Sequence, residues 1–296
     1  MNFSEYTLIS FGDSFTFGQD TVPPYDKSVK DIRPIQKQYK IDCNNLSYTK
    51  FISDSLGFKD SLNFGTLSAS NERSLMHLET FLRNNPKKKV FVLFNFTSSS
   101  RFLNIFQKTE GREYIAIDMY PNIDTKKHYK GITKKSIEEQ YIHWRNSVHD
   151  VYNHIRDRRN LYYLLSTYNT PHVSFDIINN TDQLMLRDNP IKYIDTYEGA
   201  FNEHMQNDED YIFKEMDFFN SYYQELVDNS PLLCHMGIEY TGKMPNIHHL
   251  ICQSNIKYKT SNGHWTVGGH IEASKLIEKF IMKMELAECM FIHHGG

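Results

Sequence analysis

A serine hydroxyl attacks a carbonyl only when a nearby imidazole accepts its proton, so a Ser and a His that the fold can bring together are the first residues to seek. Two such residues stand out. Ser14 follows Gly12 and Asp13 at the end of a short apolar run, Tyr6 to Phe11 (YTLISF), and His264 follows Gly263 just ahead of a periodic apolar stretch near the other end of the chain. A serine at the end of a buried strand is exposed for chemistry. Taken alone, Gly12-Asp13-Ser14 reads equally well as a strand-to-loop turn, with Gly giving backbone freedom and Asp or Ser giving a cap.

Other reactive residues form weaker patterns. His248-His249 and His293-His294 have neither the H-E-x-x-H spacing nor a nearby carboxylate, so no metal site is expected. Cys43, Cys234, Cys252 and Cys289 are too far apart for a C-x-x-C pair or a zinc quartet, and free thiols in a reducing compartment fit them best. Neither G-x-x-x-x-G-K-[ST] nor G-x-G-x-x-G occurs, which leaves nucleotide binding without support and predicts no cofactor.

Composition excludes further classes. With 40% hydrophobic and 23% charged residues the chain is globular, and its 296 residues suit one enlarged α/β domain better than two. A formal charge of -3 and a pI near 6.5 give no general attraction to nucleic acid or to an anionic membrane. The short basic clusters, such as Lys87 to Lys89, read as solvated faces. The N-terminus lacks a basic start followed by an apolar run, and nowhere do eighteen apolar residues follow one another, so a soluble cytoplasmic protein is expected; later assembly into a larger particle would leave no trace in the sequence.

The elements that would position Ser14 and His264 alternate between strand and helix. Tyr6 to Phe11 is a buried strand, Leu46 to Leu56 a helix closed by Gly57, Leu62 to Phe64 a short strand, and Glu72 to Leu82 a helix. Val90 to Phe96 (VFVLFNF) reads as a strand buried on both faces. Ser136 to Ile155 is expected to be a long helix, Leu161 to Ser166 (LYYLLS) a central strand, and Ile271 to Met284 the closing helix. Such alternation implies right-handed βαβ units around a parallel sheet. Two stretches fit poorly, 104–135 and 171–244, the latter with a helix expected from Asp208 to Leu226. Both are read as insertions over the strand ends of a single domain spanning 1–296.

At this point the sequence resembles the SGNH, or GDSL, hydrolases. Leu8-Ile9-Ser10-Phe11-Gly12-Asp13-Ser14-Phe15-Thr16-Phe17-Gly18 is similar to the family's first block, and His264-Trp265-Thr266-Val267-Gly268-Gly269-His270 to its last. The order of the two blocks and their distances from the termini also match. The resemblance implies a flavodoxin-like three-layer α/β/α fold with a central parallel sheet, Ser14 as nucleophile and His264 as general base. It implies structural roles for Asp13, bonding turn amides, and for His270. It also prompts a suspicion of a phage source.

The same resemblance implies an oxyanion hole built from the Ser14 N–H, a glycine N–H after the second strand and an Asn side chain after the third. Gly65, or Ser68 if Ser70-Asn71 is matched to a Gly-x-Ser-Asn variant, would supply the second donor. The third block departs from the family, because Gly-x-Asn-Asp is replaced by Phe94-Asn95-Phe96-Thr97-Ser98-Ser99-Ser100-Arg101. Asn95 is its one amide, and Thr97 or Ser98 could occupy the expected position. A second departure concerns the acid that orients the histidine, since Asn262 and Ser261 stand where the family carries Asp. That leaves a Ser/His dyad supported by neutral groups, a carboxylate arriving from elsewhere, or a weakened site.

The reading these features support is a metal-independent serine esterase or O-deacetylase acting through an acyl-serine, with a small ester or an acetylated carbohydrate as substrate. The alternative is a catalytically weak or inactive relative that binds a glycan or serves in assembly.

Overall fold

The computed structural model describes residues 1–23, 33–97, 101–107, 114–119, 147–177, 235–236, 247–248, 251, 255–261 and 263–292. β1 (Thr7–Phe11) lies between β2 (Asp60–Asn63) and β3 (Val90–Phe96) and pairs in parallel with both. Beyond β3 come β6 (His172–Asp176) and β7 (His235–Met236), again parallel, so the sheet runs β2-β1-β3-β6-β7. Among the strands of this sheet that is the flavodoxin-like order, and its connections leave β1 in opposite directions around the β1/β3 boundary. The crevice at the C-terminal ends of those two strands is where such sheets place their ligands.

Every residue of β1 and β3 is buried, because alternate side chains enter two separate cores. Leu8, Phe91 and Leu93 pack with Val173 and Phe175 of β6 against Tyr48 and Ile52 of α3 (Tyr48–Leu56) and against Ala273 and Ile277 of α6 (Val267–Ile292). Ile9, Phe11, Val92, Phe94 and Phe96 face the other way, onto Leu78 and Leu82 of α4 (Asn71–Asn84) and Leu161 and Leu165 of α5 (Ser147–Thr167). The result is the three-layer α/β/α fold implied by the resemblance.

Several expected elements shift. Leu161 to Ser166 belongs to α5, not to a strand: Leu161 and Leu165 are buried four residues apart while Tyr163 between them is exposed, which is a helical repeat. The central strand is instead β6, inside the stretch read as an insertion. The long helix expected from Ser136 is described from Ser147 onward, and α6 is longer than expected at both ends. A helix that polar composition concealed, α2 (Arg33–Asn45), precedes α3, and of its described side chains only Cys43 is fully buried. Within 104–135 the chain forms an antiparallel pair, β4 (Phe102–Gln107) with β5 (Tyr114–Met119). The helix expected from Asp208 to Leu226 lies outside the described residues. No helix among the described residues is long and apolar enough to cross a membrane.

Candidate active site

The chain leaves β1 through a turn that only glycine allows. Gly12 has φ 152°, and a Cβ there would stand 2.4 Å from Thr16 Oγ1 and 2.8 Å from Asn95 Cβ. Asp13 then caps a single helical turn, α1 (Ser14–Phe17), its Oδ1 accepting from the Phe15 N–H at 3.1 Å. Ser14 is the first residue of that turn, so its own N–H has no intrahelical acceptor. Gly18 ends the turn in the left-handed region, and Asp20, two residues on, is also left-handed at φ 67°. The carboxylate of Asp20 meets the segment that carries His264.

His264 meets both residues. Its Nε2 lies 2.9 Å from Ser14 Oγ and its Nδ1 3.2 Å from Asp20 Oδ2. A carboxylate only accepts, so the proton sits on Nδ1 and Nε2 is left bare toward the serine hydroxyl, the tautomer a general base requires. Thr260 brackets the pair: its hydroxyl donates to Asp20 Oδ2 at 3.0 Å and accepts from the His264 backbone N–H at 3.2 Å. The Phe15 ring backs the imidazole at 5.1 Å between centroids, and the next residue, Trp265, is fully buried with its indole N–H on His248 Nδ1 at 3.1 Å.

The carboxylate that meets His264 therefore comes from the loop that follows Ser14 and not from the segment before His264. Ser261 is exposed, Asn262 lies outside the described residues, and the ring nitrogen they were expected to serve faces Asp20. Asp20 was missed because a contact between two loops at opposite ends of the chain leaves no spacing to read. The one signal available was an acidic residue shortly after the Gly18 turn.

Residues named for the oxyanion hole divide in a similar way. Asn95 spends both amide hydrogens inside, on Asp13 Oδ1 at 3.1 Å and Thr16 Oγ1 at 3.2 Å. Thr97 donates its hydroxyl to Asp13 Oδ2 at 2.7 Å and its N–H to Asn71 Oδ1 at 2.9 Å. Neither offers a free donor, so the expectation that they are oxyanion donors is corrected: both are struts behind the turn that carries Ser14. Gly65 also has its N–H engaged, on Asn63 Oδ1 at 2.8 Å. Glycine is required there for a different reason, since a Cβ would come 2.3 Å from the Phe17 backbone nitrogen. Ser68 remains: it is half-buried on the loop that Thr66 ties to Gly12 O at 3.0 Å, and its φ of 59° lies in the left-handed region that favours glycine.

His270 is fully buried, accepts from the Tyr48 N–H at 3.3 Å and stacks on the Tyr48 ring. Burial, with a smaller repulsion from His264, pushes its imidazole down to about 3. It is a neutral strut between α3 and α6. Among the described residues no group of three His, Cys, Asp or Glu could hold a metal ion.

No family model matches the chain, and no curated protein matches it by sequence. Several solved structures align with nearly the whole chain. A G-D-S-L family protein from Desulfitobacterium hafniense aligns over 93% of this chain and 98% of its own at 9% identity and a TM-score of 0.40. A member of the lipolytic protein G-D-S-L family from Veillonella parvula aligns over 91% and 94% at 10% identity and 0.37. A catalytic mutant of the acetylxylan esterase Axe2 from Geobacillus stearothermophilus aligns over 94% and 94% at 10% identity and 0.38. The likeness is distant, and the resemblance to the SGNH hydrolases stands on the sheet order and the blocks that border the site.

Proposed function

We propose that this protein is a metal-independent serine ester hydrolase. The observation that carries the reading is the continuous chain of contacts from Ser14 Oγ through both nitrogens of His264 to the carboxylate of Asp20. In the first half-reaction Ser14 Oγ attacks the ester carbonyl while His264 Nε2 takes the hydroxyl proton. The tetrahedral intermediate collapses to an acyl-serine, and the departing alcohol leaves with the proton from Nε2. Water, activated by the same nitrogen, then releases the acid and restores the hydroxyl. Asp20 holds the ring in its tautomer and offsets the imidazolium charge that forms in each half.

The negative oxygen of the intermediate is assigned to the N–H groups of Ser14 and Ser68, each such donor being typically worth about 3 to 4 kcal/mol. The proposed substrate is a short acyl ester, an O-acetyl group on a carbohydrate first among them. Asp20 on the ring answers one of the two departures that favoured an inactive glycan-binding or assembly relative, the missing acid, while the altered third block still separates this chain from the family pattern. A fluorophosphonate probe tests the reading: covalent labelling of the wild type that is absent from Ser14→Ala supports it, together with acetate release from an acetylated polysaccharide. No labelling of the wild type overturns it.

A further inference from the structure

Asp13 has more partners than a cap requires. Its carboxylate is fully buried and takes four donors: the Phe15 N–H and Asn95 Nδ2 on Oδ1, and Thr97 Oγ1 and Arg101 Nη1 on Oδ2. Arg101 reaches in from just beyond β3, with Nη1 3.2 Å from Asp13 and 3.0 Å from Thr97 Oγ1. It is the one positive charge on Asp13 among the described residues, and its side chain is 20% exposed against none for the carboxylate.

The position of this pair matters for chemistry. Asp13 directly precedes Ser14, so a buried negative charge lies one residue from the N–H assigned to the negative oxygen of the intermediate. In a site partly closed to water such a charge would oppose the one that develops during reaction. A hydrogen-bonded guanidinium cancels it. Loss of one partner from a buried pair leaves the other charge uncompensated, whereas loss of both removes the problem along with the pair.

We propose that Arg101 is a positioning residue for ester cleavage: by neutralising Asp13 and clamping the end of β3 to the nucleophile turn, it keeps the Ser14 N–H effective toward the oxyanion. The proposal rests on the serine-hydrolase reading above. It also explains why the third block can lack the family's Gly-x-Asn-Asp and still be built around polar groups, since Asn95, Thr97 and Arg101 all converge on one carboxylate.

The test compares wild type, Arg101→Met, Arg101→Lys and the double variant Asp13→Asn/Arg101→Met by two rates, fluorophosphonate labelling and turnover of an acetate ester. Arg101→Met is expected to lower kcat and the labelling rate on the order of 10-fold or more, less than direct loss of an oxyanion donor, with KM within about twofold. Arg101→Lys keeps the charge and should recover most of the rate. The double variant should outperform Arg101→Met, because both buried charges are gone. An Arg101→Met variant that labels at the wild-type rate, or a folded double variant no faster than the single, overturns the proposal. If Arg101→Met does not fold, the double and the Lys variants decide: a folded double variant more than about 100-fold below wild type, or a folded Lys variant as slow as that, rules it out. A wild type that neither labels nor turns over is a distinct result and defeats the hydrolase reading itself.

Discussion

Thr260 and Asp20 are joined across 240 residues of sequence, the threonine hydroxyl donating to Asp20 Oδ2 at 3.0 Å while Thr260 Oγ1 itself accepts from the His264 backbone N–H. One side chain thus sets the height of the acid and the start of the segment that carries the base. Thr260→Val removes both bonds at nearly constant volume. Its expected effect is a fall in kcat on the order of 10-fold, by analogy with losing a group that orients a catalytic ligand. Thr260→Ser, which keeps the oxygen, should restore most of it, and steady-state kinetics on an acetate ester would show the difference.

Asp20→Asn makes a sharper case. The amide keeps the shape of the carboxylate but can donate, which favours the tautomer with the proton on Nε2 and a hydroxyl that can no longer be deprotonated. From the behaviour of triads in general, kcat should fall by roughly 10³- to 10⁴-fold. Thermal unfolding should change little, since Asp20 sits on a partly exposed loop. A retained rate in this variant would point to a Ser14/His264 dyad instead.

How these residues were or were not readable follows from locality. Ser14 and His264 each sit inside a short block of consecutive residues, so strand-end and helix-start patterns exposed them. Asp20 depends on a left-handed backbone and on a loop from the far end of the chain, and neither has a sequence period. Val90 to Phe96 was legible as a strand because both of its faces are buried. Leu161 to Ser166 was not, because a short apolar run with two tyrosines fits strand and helix alike, and only the exposure of Tyr163 separates them. Asn95 and Thr97 were found as residues but given the wrong direction, since sequence shows a side chain's chemistry and not the turn it faces.

Gly65→Ala should damage the site without touching a reacting atom. The added methyl would stand 2.3 Å from Phe17 N and 2.6 Å from the Thr16 carbonyl carbon, both backbone atoms of the nucleophile turn that cannot swing aside. Either the turn or the loop bearing Ser68 must move. A destabilisation of about 3 kcal/mol, at the upper end of the usual range for overpacking, is expected in denaturant unfolding. The variant that folds should label slowly with the fluorophosphonate, because the turn bearing Ser14 or the loop bearing Ser68 has been displaced.

His270 should govern part of the acid limb of stability. Its folded value of about 3 lies below its ordinary 6.5, so the folded protein resists taking a proton that the unfolded chain accepts. Above pH 6.5 the imidazole is neutral in both states and adds no pH dependence. As pH falls below 6.5 the unfolded state binds the extra proton, and stability is lost progressively until the folded imidazole also titrates near 3, at a limiting slope of about 1.4 kcal/mol per pH unit from this group. His270→Gln keeps an acceptor for the Tyr48 N–H and cannot titrate. Its stability at pH 7 should be lower than wild type, through lost packing on the Tyr48 ring, yet its decline between pH 6 and pH 4 should be shallower. Urea unfolding across that window measures both. Parallel curves for the two proteins would mean that another group sets the acid limb.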